Sequence, residues 1–111
     1  MRLRWSERAR RDLVAIARYI ARDNPDAARR WVAKLRKCAL SASERPLLGR
    51  VVPEFNREDT REVLLANYRV VYLTRPGDLL VLTVFEGHRL FPAPAAHASP
   101  AASLVQDDDS P

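Results

Sequence analysis

From Ala9 through Leu13, Ile16, Ala17 and Ile20, apolar side chains recur at three- and four-residue steps. That spacing places one apolar stripe on a helix. The opposite face carries Arg8, Arg11, Asp12, Ala15, Arg18 and Arg22. Ser6 is placed to cap this helix, with Glu7 in its positive first turn. Asp23-Asn24-Pro25 stops it; Asn24 can cap a second helix, and Pro25 suits a first turn, where its missing N–H does no harm. Ala28, Trp31, Val32, Leu35, Cys38 and Ala39 form the second stripe. So short a link predicts an antiparallel helical hairpin, closed at Arg45-Pro46. Ahead of it, Arg2 to Trp5 reads as a short edge strand with Leu3 and Trp5 on one face.

Beyond Pro46 the period changes. Leu47 to Asn56 is loop-rich, with Gly49 and Pro53. Three strands follow: Arg61 to Leu65, Tyr68 to Thr74 after a turn at Asn67, and Leu79 to Phe85. Between the last two, Arg75-Pro76-Gly77-Asp78 suits a type II turn, with Gly77 taking φ > 0. The near-continuous apolar run after Asp78 predicts a central strand. The order β-α-α-β-β-β predicts an α+β fold, with the helical hairpin packed on a small, mostly antiparallel sheet. Residues 1–92 read as one domain. From 93 to 111 the chain turns to Ala, Pro, Ser, His and Asp, with Leu104 and Val105 its sizeable apolar side chains. Such a segment buries too little surface to offset its ordering entropy, and it reads as a disordered tail.

Composition narrows the class. A chain of 111 residues, 47% hydrophobic and 30% charged, is an ordinary single globular domain, too short for a separate cofactor domain. No apolar run is long enough to cross a bilayer, and none of signal-peptide length follows Met1 to Trp5, which leaves a cytoplasmic protein. A lone Cys38, on the apolar stripe of the second helix, makes no internal disulfide. With only His88 and His97 for company it builds no structural zinc site. Neither a metal nor a cofactor is expected, and the three glycines form no phosphate loop.

Charge adds a partner class. The net charge is +5, and three of the 14 acids are Asp107, Asp108 and Asp109. The rest of the chain therefore sets 19 basic groups, 17 of them Arg, against 11 acids. Such a domain is drawn to an acidic partner or to nucleic acid, and the three tail aspartates can shield its basic face weakly.

The residues able to do chemistry cluster on the predicted sheet: Arg61, Glu62, Tyr68, Arg69, Tyr72, Glu86, His88 and Arg89. Arg69 shares a strand face with Val71 and Leu73. An arginine in a central strand either pairs with Glu62 or Glu86 or clamps a phosphate or carboxylate. A histidine's unperturbed pKa lies near neutrality, which makes His88 a candidate general acid or base. Cleavage of RNA through a 2′-hydroxyl needs a base, an acid and phosphate-stabilising cations; Arg69, Glu86, His88 and Arg89 are the candidates for that set.

Pro46-Leu47-Leu48-Gly49-Arg50-Val51-Val52-Pro53-Glu54, then Arg61-Glu62-Val63, then Asn67-Tyr68-Arg69-Val70-Val71-Tyr72 resemble the RelE/ParE superfamily of type II toxins. The opening Trp5-Ser6, with Ala9, Asp12-Leu13, Ile16, Tyr19-Ile20 and Asn24-Pro25, is similar to it too. The resemblance covers residues 2–92. It implies a growth-inhibiting toxin held by a co-encoded antitoxin. RelE-like members cut mRNA in the ribosomal A site, whereas ParE-like members poison DNA gyrase by stabilising its cleaved DNA. The Gly49–Glu54 loop, Arg61-Glu62 and the long hairpin look more like the ParE branch. Ribonuclease members commonly carry a catalytic Tyr or His near this end; Gly87-His88-Arg89-Leu90-Phe91 keeps His and Arg but has no Tyr.

The resemblance thus implies a ParE-like gyrase inhibitor that is not an enzyme, neutralised by a ParD-like antitoxin. The alternatives are a RelE-like ribosome-dependent mRNA endoribonuclease and an inactive basic binding module. Arg61, Arg69, His88 and Arg89 are the expected target-binding residues. Antitoxins of this group lay an acidic, amphipathic segment across the toxin. Arg10, Arg11, Arg18, Arg29, Arg30 and Arg36 are the expected docking residues, beside an apolar groove between hairpin and sheet.

Overall fold

A computed structural model describes residues 1–87 of the chain. His88, Arg89 and the 93–111 tail lie outside the described residues. The elements are β1 (Arg2–Trp5), α1 (Glu7–Ala21), α2 (Pro25–Glu44), β2 (Arg50–Val51), β3 (Thr60–Leu65), β4 (Tyr68–Arg75) and β5 (Asp78–Glu86). They form the expected α+β arrangement, a helical hairpin on one sheet of order β1-β5-β4-β3-β2. Only the β1–β5 pairing is parallel. The added element is β2, which pairs its two residues with Arg61 and Glu62 of β3.

Both helix starts follow their capping chemistry. Ser6 Oγ accepts from the Ala9 N–H at 3.0 Å, and Asn24 Oδ1 accepts from the Ala27 N–H at 3.0 Å. Each such cap is worth about 1 kcal/mol. Pro25 opens α2, and Gly77 turns the β4–β5 hairpin at φ 85°. At the β3–β4 turn the left-handed residue is Ala66, at φ 51°, not Asn67 beside it.

The sheet buries both faces. Toward the helices, Ala9 and Leu13 of α1 and Leu35, Ala39 and Ala42 of α2 meet Val70, Tyr72, Leu79, Val81 and Val84. Trp31 extends this layer, its ring tilted on that of Tyr68 at 5.6 Å. On the other face Val71, Leu73, Leu80 and Leu82 are covered by Val52 and Phe55 of the loop between β2 and β3. Burial on both faces explains the unbroken apolar run in β5.

One irregularity ties the layers together. The β4–β5 register steps from Val71↔Thr83 to Tyr72↔Val81, so Leu82 is an extra residue, a β-bulge. Its loosened polar groups find partners on the first turns of α1. Ser6 Oγ donates to the Leu82 carbonyl at 2.8 Å. The Asp12 carboxylate accepts from Thr83 Oγ1 at 2.5 Å and from the Val84 N–H at 3.0 Å. The phase shift carries Val84 onto the helix side with Val81.

Candidate functional site: a locked ion network and an arginine-rimmed helical face

The sheet face away from the helices holds a four-residue ion network. Arg69 rises from β4, which pairs on both sides with β3 and β5, and is buried. Its Nε donates to Glu62 Oε1 at 2.5 Å. Its two terminal nitrogens both donate at 2.8 Å to the two oxygens of Glu54, a bidentate fork. Glu62 comes from β3 and its side chain is 0% exposed; Arg50 Nε of β2 donates to its other oxygen at 2.7 Å. The Phe85 ring lies under the Arg69 guanidinium, 5.1 Å from centroid to Cζ. Hydrogen bonds from Arg69 pull the Glu54 pKa below the usual carboxylate range, and those with Glu54 raise the arginine's own.

A second knot holds the β2 approach. Tyr72, fully buried, reaches across from β4. Its hydroxyl donates to the Pro46 carbonyl at 2.7 Å and accepts from the Gly49 N–H at 2.9 Å. Burial raises its pKa. Gly49 sits so close that a Cβ there would lie 2.5 Å from the Glu62 carbonyl oxygen. Arg61 closes the far side, donating to the Gly49 carbonyl at 3.0 Å and to the Glu58 carboxylate at 2.9 Å. The stretch from Pro46 to Glu58 is therefore fixed by four side chains of β3 and β4: Arg61, Glu62, Arg69 and Tyr72.

Arg61 and Arg69, expected at the target face, thus both turn their guanidinium groups to internal acceptors. Arg69 takes the ion-pair option with Glu62 and adds Glu54. Glu86 closes β5 opposite Tyr68 and is half-buried. A cavity of about 250 Å³ lies at this end of the sheet, lined by Arg50, Asn67, Tyr68, Arg69 and Gly87 among others. Gly87 is the last described residue, and the expected target-binding His88 and Arg89 lie outside the described residues. Sequence reasoning gave Arg50 and Glu54 no role. Both stand in the Pro46–Glu54 stretch, but two charges in a loop have no period to mark them.

The helical face is the second region. Arg10, Arg11 and Arg18 line a shallow hollow of about 430 Å³ along α1. Arg10 and Arg36 flank a second, of about 400 Å³, with Trp5, Leu13 and Val14. Arg18, Arg29 and Arg36 rim a third of about 550 Å³ between α1 and α2. Five of the six expected docking arginines therefore edge apolar hollows; the sixth, Arg30, is exposed on α2. The hollow of about 550 Å³ lies between the two helices, and the one of about 400 Å³ lies where the hairpin meets β1 of the sheet.

This geometry defines a small α+β protein with an internally neutralised sheet face and a basic, grooved helical face. The family model described as ParE toxin of type II toxin-antitoxin system, parDE, matches residues 3–91. The chain belongs to that family and is a type II toxin of the ParE kind. It is 37% identical over 92 residues to a Sinorhizobium fredii protein named "Putative toxin Y4kP", covering 82% of this chain and 93% of the other. Its fold is similar to a solved chain of the chromosomal ParDE TA system from P. aeruginosa. That match has a TM-score of 0.65 at 19% identity, over 78% of this chain and 95% of that one. No helix among the described residues is long and apolar enough to cross a membrane.

Proposed function

We propose that this toxin inhibits DNA gyrase without catalysis of its own, stabilising the enzyme's cleaved DNA, and that a ParD-like antitoxin neutralises it in the cytoplasm. The observation that carries the gyrase reading is the closed network at Arg69. A ribonuclease site needs a cation free to meet the scissile phosphate, and here the guanidinium faces two carboxylates, one wholly buried. Arg69 and Arg61 serve the surface by holding the 46–58 loop, and His88 and Arg89 contact the target. The arginine-rimmed hollows on α1 and α2 favour an acidic, amphipathic antitoxin segment, and charge steers its approach.

The test mixes purified toxin with gyrase, ATP and relaxed plasmid, and resolves the DNA after denaturing the enzyme. Linear product that requires both proteins is expected. Undisturbed supercoiling with no linear product would refute the proposal and shift attention to mRNA on translating ribosomes.

A further inference from the structure

We propose that the groove between α1 and α2 is occupied in the free protein by the chain's own segment around Leu104 to Asp109. The floor of the groove is apolar, built from Ala17, Ala21, Ala28, Val32 and Ala33. Its edges carry Arg18, Arg29 and Arg36. The segment Leu104-Val105-Gln106-Asp107-Asp108-Asp109 places two branched apolar side chains directly before three carboxylates. That order matches an apolar floor bounded by guanidinium groups. No other acidic run in the sequence has this form; the remaining acids are single or, at Glu58-Asp59, paired just before β3.

The topology puts the segment within reach. β5 ends at Glu86, paired with Tyr68. The Tyr68 ring touches Trp31, the residue before Val32 of the groove floor. The chain therefore leaves the sheet at the end of the molecule where the groove lies. From Gly87 to Leu104 are 17 residues, able to span up to roughly 56–61 Å when extended. The longest dimension of the molecule is 38 Å. A tether of this length holds the segment at an effective concentration on the order of millimolar, so weak intrinsic affinity suffices. A second copy is a poorer occupant, because it would bring one arginine-rich face against another. The inference stands independently of the gyrase reading, since it concerns the free toxin alone.

Backbone amide NMR on the full chain tests it. The wild type is compared with a full-length variant carrying Leu104→Ser, Val105→Ser, Asp107→Asn, Asp108→Asn and Asp109→Asn. The expected result is a set of shift differences at Ala17, Ala21, Ala28, Val32 and Ala33. Raising salt from about 0.05 to about 0.5 M should move the wild-type spectrum toward that of the variant. A second full-length variant, Arg18→Asp with Arg36→Asp, should release the segment from the other side, its 104–109 amides moving to the positions seen at high salt. Shifts confined to the substituted segment overturn the proposal, as do shifts on the Arg50 side of the sheet. Groove shifts that grow with protein concentration overturn it in favour of a second copy.

Discussion

Removing Arg69 tests whether the network is architecture. Arg69→Met keeps most of the stem and deletes the charge. Glu62, with a side chain 0% exposed, then keeps only Arg50, whose own side chain is 58% exposed. Breaking a buried ion pair from one side costs about 3–5 kcal/mol, because a charge is left uncompensated. Arg50 moderates this, while the lost contact over Phe85 adds about 0.5–1 kcal/mol. The expected cost is therefore about 3–5 kcal/mol, a large share of the stability of a small domain. The Glu54 fork contributes less, because that carboxylate is 39% exposed and screened; Glu54→Ala should cost about 0.5–1 kcal/mol. In Glu62→Leu with Arg69→Met both buried charges are gone, so the double variant should cost no more than about 1–2 kcal/mol. Urea unfolding followed by tryptophan fluorescence measures the wild type, the single variants Arg69→Met, Glu62→Leu and Glu54→Ala, and the double variant. The double-mutant cycle should give a coupling energy of about 2–4 kcal/mol. Additive single effects, or a Glu54→Ala cost as large as that of Arg69→Met, would refute the reasoning.

Gly49→Ala should destabilise by about 2–3 kcal/mol, since the new methyl meets the Glu62 backbone, which cannot swing aside; an unchanged urea midpoint would show the loop yields. Ala66→Gly should stabilise by about 0.5–1 kcal/mol by relieving a left-handed alanine at φ 51°, read as a rise in melting temperature. Hydrogen bonds from arginines lower the pKa values of Glu54, Asp59 and Asp78, so each adds stability above its unfolded pKa near 4. That stability is lost as pH falls below about 4 toward the lower folded values. Asp78 takes a fork from Arg75 at 2.7 and 2.8 Å. Asp78→Asn should therefore flatten the acid limb of a stability–pH curve while leaving its neutral plateau within about 1 kcal/mol.

The helical half was legible because its rules are local. Ser6, Asn24 and Pro25 act within one turn of themselves, and two apolar stripes separated by three residues leave little choice but a hairpin. The Gly77 turn was legible for the same reason. What sequence spacing did not carry was pairing across distance. Leu79 to Leu82 is apolar at every position, so no period marks Leu82 as the bulged residue. Arg50 and Val51 form a strand only because β3 lies beside them. Glu62 looks like any strand glutamate, and nothing in its spacing shows that Glu54, eight residues earlier, returns over the sheet to share Arg69 with it. The option of an Arg69–Glu62 pair was visible; the third and fourth members were not.

The bulge at Leu82 also sets a timetable. Ser6 and Asp12, made among the first residues, hold backbone groups of Leu82 and Val84 about 70 positions later, and β1 has β5 as its only partner strand among the described elements. On a translating ribosome adding roughly 5–20 residues per second, that separation is a wait of roughly 4–14 s. Throughout it the first strand and the α1 entrance lack their partners, and the sheet cannot close. The folded sheet therefore exists only once nearly the whole described chain has emerged.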